Sequence, residues 1–409
     1  MFAALRLRVL GGAGQIACGA LIALVTTASG ALAQCATSYN FGGISTNGLL
    51  VPQASPLISI INTVNTAYLT NTTSLVSAPG GAQADQTSGG LWSRAIGGTV
   101  DTKSDSTSTA DLTKTTGLFA PSIFLATGSL QCHQENKQDY AGFQLGADLG
   151  KLNLTGTGVN WHFGITGGNF YARAQEQTLQ PMPGSMAFPT GDLKGSFEVP
   201  FVGFYNVITA GNFFADAQFR WDFFNSNTSS VEQHFSGVNG QAQSLSFTTA
   251  AAYRIPLPSN WFVEPSFGGV LSQTKVNPIV TPWDNGNGTS TLRISDINSV
   301  LGRASLRIGT SFTAGTFTWQ PFFAATVLHE FAGSVISTQS ISATGGAGAD
   351  FDKAVFTTVT DRVGTYEQVG FGTAVTAGNT GWLGYGRGDV KFGENIQGWG
   401  VNFGLRYQW

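Results

Sequence analysis

The feature that most constrains the fold of this sequence is an alternation of apolar and polar side chains at its C-terminal end. From 399 to 409 every odd position is apolar or aromatic, and every even position is glycine or polar. Successive side chains of a β-strand point to opposite faces, so one face of this segment is wholly apolar. The segment is also as long as a tilted strand that crosses a membrane. It therefore predicts a membrane-spanning β-strand.

The same alternation recurs along the chain and predicts twelve strands. Their predicted bounds are 91–101, 140–149, 158–172, 195–208, 212–224, 243–255, 260–273, 297–312, 316–330, 365–377, 380–391 and 399–409. Only 11% of the residues are charged, against about a quarter in soluble proteins. No segment after residue 34 has the ~18 unbroken apolar residues of a membrane-spanning helix. Only helices and closed barrels satisfy their backbone polar groups in lipid, so we predict an all-β protein, a 12-stranded antiparallel transmembrane barrel.

The lengths of the connections alternate in step with the strands. Those after the odd-numbered strands are mostly long, and those after the even-numbered strands are short. The long ones are 102–138, 173–194, 225–242, 274–296 and 331–364, with a shorter one at 392–397; the short ones are 150–157, 209–211, 256–259, 313–315 and 378–379. Outer-membrane barrels have long extracellular loops and short periplasmic turns. Both ends of the barrel are therefore predicted to lie in the periplasm.

The N-terminal segment has the three parts of a secretory signal peptide. Arg6 and Arg8 provide a positive start, the stretch 9–29 is apolar and small, and Ala31-Leu32-Ala33 matches a cleavage site. We expect residues 1–33 to be removed, which leaves an exported chain. The alternative is a membrane anchor that stays attached.

One helix is predicted before the barrel, from Leu57 to Val76. Its apolar residues recur at helical spacing, and asparagines and threonines cover the rest of its surface. Twenty helical residues reach about 30 Å, the depth of a barrel. We predict that 57–90 forms a helix inside the pore and a linker into a barrel over 91–409. A helix that lies on the periplasmic rim is the alternative.

Short motifs in this order resemble the translocator domain of autotransporters. The resemblance covers about 57–409. The matching segments are Trp92-Ser93-Arg94 (W-x-R), 142–148 (GFQLGAD), 211–217 (GNFFADA, with G-N-x-x-x-D), 261–265 (WFVEP, with W-F-x-E-P) and 302–309 (GRASLRIG, with G-R-x-x-x-R-x-G). The resemblance implies a β-barrel of the Gram-negative outer membrane that serves type V secretion.

The resemblance also sets the remaining functional expectations. Autotransporters usually carry a long passenger before the helix, whereas here only a short remnant, 34–56, is available. The alternative is a porin-like or structural barrel that acts through its pore or its extracellular loops. The expected partners are outer-membrane lipid and the barrel-assembly machinery, without nucleic acid, and we expect a monomer. The tail that the machinery would recognise is Val401, Phe403, Leu405, Tyr407 and Trp409.

Charged residues on the polar faces of the predicted strands are expected to line the lumen. They are Asp148, Asp216, Arg220, Asp222, Glu264, Arg303, Arg307 and Arg406. Two interpretations stay open. These residues form ion pairs around the helix, since an unpaired interior charge is costly, or Arg220, Arg303 and Arg307 select ions in an open pore.

Two cysteines follow the signal peptide, Cys35 and Cys132. Exported proteins are oxidised, so two remaining cysteines predict a disulfide. Cys132 lies in the first extracellular connection, and Cys35 reaches the same side if the helix threads the barrel outward. Free thiols or intermolecular pairing are the alternatives.

The sequence predicts no catalytic activity. It contains no G-x-S-x-G motif and no local serine–histidine constellation. Its four histidines are scattered, and its net charge of −3 gives no sign of nucleic-acid binding. We therefore expect no catalytic, cofactor-binding or metal-binding residue. Helix asparagines support passenger cleavage in autotransporters, and Asn62, Asn65 and Asn71 occur here, but asparagine is also an ordinary lumen residue.

Overall fold

The computed structural model describes residues 35–37, 54–69, 82–115, 122–180, 188–230, 235–283, 288–343, 353–378 and 380–409. The predicted signal peptide lies outside the described residues. Twelve strands form the barrel: β1 (Gln86–Thr115), β2 (Ser122–Leu152), β3 (Val159–Gln180), β4 (Phe188–Ala210), β5 (Phe213–Ser230), β6 (Phe235–Tyr253), β7 (Trp261–Val276), β8 (Ile297–Thr310), β9 (Phe317–Glu330), β10 (Thr365–Ala377), β11 (Trp382–Gly393) and β12 (Ile396–Gln408). Each strand pairs antiparallel with the next, and β12 pairs with β1 from Ile396↔Thr102 to Gln408↔Gly90. The predicted 12-stranded barrel is confirmed.

The outer face of the wall is apolar over the depth of a membrane. On β3 the outward side chains run from Trp161 through Phe163 and Ile165 to Tyr171, and all four are exposed. From Trp161 to Tyr171 the strand advances about 33 Å at ~3.3 Å per residue. At a tilt of ~40° this length spans about 25 Å, the height of the apolar band of an outer-membrane barrel. Aromatic side chains mark both edges of this band.

The two ends of the barrel differ as the connection lengths predict. The short connections are turns; the one between β2 and β3, for example, is built around the single 3-10 turn Leu154–Gly156. The chain enters β1 and leaves β12 at this same end, where the backbones of Gly89 and Trp409 exchange two hydrogen bonds. This end is the periplasmic one in the predicted arrangement.

The long connections contain β-strands that the alternation of the sequence does not predict. Besides the extended β1 and β2, four further strands lie in them: Ile279–Trp283, Gly288–Ile294, Val335–Ala343 and Lys353–Thr360. They pair in that order, and the last pairs with 106–113 of β1. Their serines and threonines favour strands but leave no alternation of apolar and polar residues to detect. We call these strands, with the outer ends of β1 and β2, the extracellular sheet.

Pro200, Pro265 and Pro321 lie inside barrel strands at places where one flanking ladder stops. Pro200 pairs with Asn169 of β3, but the pairing of β4 with β5 skips it. Pro265 pairs only on its β8 side, and Pro321 only on its β10 side. Proline lacks the N–H that a ladder needs, so these positions tolerate it at no cost in hydrogen bonds.

The helix, α1, extends over Ala54–Leu69. It begins three residues before the predicted start at Leu57, and residues 70–76 of the prediction lie outside the described residues. Pro56 is in its first turn, where a missing N–H is tolerated. Every residue of α1 except Ala67 is buried. None of the described helices has the length and apolar character needed to cross a bilayer.

Candidate functional site: the occupied lumen

The helix lies inside the barrel, because its hydrogen bonds reach strands on different sides of the wall. Four side-chain pairs make these contacts: Ser55–Ser104 of β1 (3.0 Å), Ser59–Gln138 of β2 (3.1 Å), Asn65–Ser272 of β7 (3.0 Å) and Thr66–Lys391 of β11 (3.0 Å). A helix that lay on the rim could not contact all four strands.

The helix points its N-terminal end toward the extracellular side. Ser55 contacts Ser104 in the outer part of β1. At the other end, the ring of Tyr68 lies 5.2 Å from the guanidinium of Arg94, ten positions nearer the periplasmic end of the same strand. Ala54, the first residue of the helix, therefore lies at its extracellular end.

Apolar packing holds the helix against an unusually apolar inner wall. Its apolar residues share one cluster with inward residues of six barrel strands and two strands of the extracellular sheet. The wall members are Ile96, Phe170, Ala172, Ala174, Phe197, Val199, Phe201, Phe224, Ala242, Leu292, Ile294, Ile297 and Val335. Ile60 and Ile61 are almost completely buried in it. At about 25 cal/mol per Å² of apolar surface, such burial retains the helix strongly.

Below the helix, a polar network centred on Asp148 lines one side of the lumen. Arg406 of β12 binds both carboxylate oxygens of Asp148 of β2, at 2.6 and 2.8 Å. The Tyr205 hydroxyl donates to the same carboxylate at 2.8 Å and accepts the indole N–H of Trp92 at 2.6 Å. His162 Nδ1 lies 3.1 Å from Asp148 Oδ1. The network joins β1, β2, β3, β4 and β12, which flank the seam where the barrel closes.

Close backbone approach makes room for this network. A Cβ atom added to Gly146 would lie 2.3 Å from the Trp92 indole, and one added to Gly164 would lie 2.4 Å from the Tyr205 ring. These two glycines therefore allow the large side chains to lie flat on the wall.

Other buried charges also lie in pairs. Arg220 binds Asp222 at 2.5 and 3.2 Å, and its guanidinium lies 4.6 Å from the centre of the Tyr68 ring. Glu264 accepts from Arg307 at 2.5 Å and from Arg254 at 3.1 Å. Each of these buried charges thus has a partner of opposite sign, which offsets part of the cost of removing it from water.

The predicted lumen residues are thus all buried, but they form separate groups. Six of the eight are in the pairs Asp148–Arg406, Arg220–Asp222 and Glu264–Arg307. Arg303 instead donates to the carbonyl of Leu69 at 3.0 Å, at the end of the helix. Asp216 is buried on the inner face of β5. Their effect on permeation stays a prediction.

Sequence reasoning missed several lumen residues. His162, Tyr205 and Trp92 were not proposed, although His162 lay on a face that alternation had marked as polar. The pair Arg387–Asp389 (2.6 Å) and Lys391 were missed as well. Arg387, Asp389 and Lys391 are two residues apart, a spacing that places them on one face of a strand. The glycines of β11 hid this pattern, because they stand at several positions of the opposite face where apolar residues would complete the alternation.

The two cysteines face each other in the backbone register. The short strand Cys35–Thr37 pairs with Leu130–Cys132 of β2, so Cys35 lies directly opposite Cys132. Opposite positions of an antiparallel pair have Cα atoms about 4.5–5.5 Å apart, within the range that a disulfide bridges. The disulfide itself stays a prediction.

The C-terminal tail forms part of the outer face. Phe403, Leu405, Tyr407 and Trp409 are exposed toward the lipid side. The Tyr407 ring lies 4.9 Å from that of Trp382. Recognition of this tail by the assembly machinery stays a prediction.

A closed 12-strand barrel that carries its own helix in the lumen defines the class of outer-membrane translocator barrels. The sequence profile of the family described as "Autotransporter beta-domain" matches residues 129–389. The chain belongs to this family, a type V secretion barrel, and lies in the Gram-negative outer membrane. No curated protein sequence matches it.

Solved structures agree with this fold. The transport unit of the autotransporter AIDA-I from Escherichia coli is similar, with a TM-score of 0.58 and 12% identity, over 88% of this chain and 99% of that one. The translocator domain of NalP from Neisseria meningitidis has a TM-score of 0.47 and 12% identity, over 89% and 99%. The β-domain of the Bordetella autotransporter BrkA has a TM-score of 0.47 and 18% identity, over 78% and 98%. Of these three structures, the transport unit of AIDA-I is the one that supports the fold of this chain.

Proposed function

We propose that this barrel is a surface-display device, which keeps its own helix in the pore and holds the segment that precedes the helix outside the cell. One observation carries the proposal: the strand Cys35–Thr37 pairs with 130–132 of β2, in the extracellular sheet. The outward direction of α1 supports it. A Cys35–Cys132 disulfide would fasten the displayed segment to the barrel.

The route to the membrane is part of the same proposal. The signal peptide is cleaved after Ala33, and the barrel-assembly machinery recognises the tail that ends at Trp409. The barrel acts as a monomer and without catalysis. The closed ladder from β1 to β12 supports the monomer, because the wall satisfies its own backbone without a second chain.

Cysteine labelling on intact cells tests the display. In a background with Cys35→Ser and Cys132→Ser, Thr37→Cys is expected to react with a membrane-impermeant maleimide. The matched control, Thr155→Cys in the turn between β2 and β3, should react only after the outer membrane is permeabilised. Reaction of Thr37→Cys only after permeabilisation would contradict the proposal.

The alternative, a porin-like barrel, makes a different prediction for conductance. With α1 in place and the charges paired, the barrel is expected to show almost no ion conductance in planar bilayers. Deletion of 54–69 is expected to raise conductance sharply, with folding checked by heat-modifiable migration on gels. High conductance of the intact protein would favour the porin-like function instead.

A further inference from the structure

The last turn of α1 accepts hydrogen bonds from two cations of the inner wall. The Arg303 guanidinium donates to the backbone carbonyl of Leu69 at 3.0 Å. The Lys391 ammonium donates to the hydroxyl of Thr66, also at 3.0 Å. Arg303 belongs to β8 and Lys391 to β11, so these contacts come from two separate strands of the wall.

Two further cations lie against the aromatic ring of the same turn. The guanidinium of Arg94 is 5.2 Å from the centre of the Tyr68 ring, and that of Arg220 is 4.6 Å from it. At these distances a cation is attracted to the face of an aromatic ring. No two of the four contributing strands, β1, β5, β8 and β11, are neighbours, so the four side chains surround the helix end. We call Arg94, Arg220, Arg303 and Lys391 the cationic collar.

The helix itself carries no charge that could neutralise its ends. The segment Ala54–Leu69 contains no acidic and no basic residue. The last four carbonyls of a helix have no partner within it, and this end carries about half a negative elementary charge. Cations in the last turn of a helix usually stabilise that end. Here the wall supplies them instead.

The other end of the helix meets a neutral wall. In its first two turns the described side-chain contacts are Ser55 with Ser104, and Ser59 with Gln138 and Thr102. The two ends of α1 therefore have different surroundings. A reversed helix would place its positive end, with its free N–H groups, against four cations.

Carboxylates beside the collar make it unsuitable for a free anion. Arg220 binds Asp222, and Asp216 is a charged neighbour of Arg303. Asp389 lines the same gap beside the helix as Lys391. These carboxylates offset most of the positive charge, so the collar is a set of donors directed at the helix end and not a strongly positive ring.

We infer that the cationic collar is a binding site for the C-terminal end of a helix, and that it fixes the direction and the depth of α1 in the lumen. Apolar packing retains the helix but is not directional, so it does not choose between the two orientations. The collar does so because it contacts only the end that carries free carbonyls. This inference concerns the position of the helix and does not depend on the display of the segment before it.

A disulfide at the opposite end of the helix reports its position. The hydroxyl oxygens of Ser55 and Ser104 are 3.0 Å apart. In a background with Cys35→Ser and Cys132→Ser, the pair Ser55→Cys/Ser104→Cys is expected to cross-link rapidly when the full chain is treated with a mild oxidant. The pair forms only when α1 is in its native direction and depth, and it does not touch the collar.

Two substitutions of equal size at one collar position test the recognition. Arg303→Gln keeps a donor for the Leu69 carbonyl, whereas Arg303→Glu does not. The cross-linking rate is expected to fall from the native chain to Arg303→Gln, and to be about tenfold below native in Arg303→Glu, because a hydrogen bond from a charged group is lost. The matched control Arg254→Glu introduces the same carboxylate beside Glu264, away from the helix, and should cross-link at the native rate.

A second pair of variants decides the question if Arg303→Glu does not fold, as judged by heat-modifiable migration. Lys391→Arg keeps a cation and is expected to cross-link as the native chain does, whereas Lys391→Met should do so more slowly. Equal rates within either pair, or a loss in Arg254→Glu as large as that in Arg303→Glu, would overturn the inference. Labelling of Thr37→Cys on intact cells reports the display separately.

Discussion

The two halves of the lumen are filled by different means. In the extracellular half, α1 packs against an apolar wall that includes Phe170 and Phe201. In the periplasmic half, no described helix lies beside the paired charges around Asp148 and Glu264. One half is occupied by a separate segment of chain, and the other is lined by charged side chains of the wall itself.

This difference shows how each half responds to damage. Apolar burial is not directional, so the loss of one methyl-bearing group leaves the other contacts in place. A buried ion pair fails as a unit, because the remaining partner is an uncompensated charge. Single substitutions should therefore cost most in the periplasmic half, and the helix should loosen gradually.

The largest effect is expected for Arg406→Met. It leaves the Asp148 carboxylate buried without its bidentate partner, at a cost of about 3–5 kcal/mol in the free energy of unfolding. Urea unfolding in lipid vesicles measures this cost. The double variant Asp148→Asn/Arg406→Met should recover much of it, since no charge is left unpaired. A single variant as stable as the native chain would refute the contrast between the two halves.

A smaller effect is expected for Ile60→Ala in the extracellular half. Its side chain is fully buried, and the cavity left should cost about 3 kcal/mol. The loss should loosen the helix and not the wall, so single-channel conductance should rise while heat-modifiable migration stays unchanged. The control Ala67→Ser, at the one half-buried helix position, should have little effect. If Ile60→Ala unfolds the whole barrel, the helix and the wall are not separable.

The smallest effect is expected for Ser59→Ala. Its hydroxyl donates to Gln138 and accepts from Thr102, both at 3.1 Å. Loss of these neutral hydrogen bonds should cost about 1 kcal/mol, as measured in the same urea unfolding experiment. A cost as large as that of Arg406→Met would mean that polar contacts, and not apolar packing, retain the helix.

The fold could be predicted because lipid imposes a simple rule on the outer face. Segments such as 399–409 must alternate to present apolar side chains on one side only. The extracellular sheet was not predicted, because the buried face of 102–115 includes polar side chains such as Thr102, Ser106 and Ser108, so that burial leaves no apolar–polar alternation in the sequence. Pairing partners such as 106–113 with 353–360 are far apart in sequence and leave no local signal.

The lumen was harder to predict than the wall. Alternation correctly assigned inward charges such as Asp148 and Arg406, but which charges meet depends on register and barrel closure. The apolar inner wall was missed for another reason. In β4, Phe197 and Val199 face inward, and Val202 and Phe204 face outward. Because both faces are apolar, the sequence has no apolar–polar alternation that would tell the inner face from the outer one.

The pairing of β12 with β1 has a consequence for biogenesis. The two neighbours at the seam are the first and the last barrel strands to leave the ribosome. Arg406 belongs to the final four residues of the chain as given, so Asp148 gains its partner only when synthesis of this end is finished. A product that stops short of Arg406 lacks both the seam contacts with Trp92 and the counter-charge. Closure of the barrel and pairing of the buried Asp148 carboxylate therefore depend on the same strand, β12.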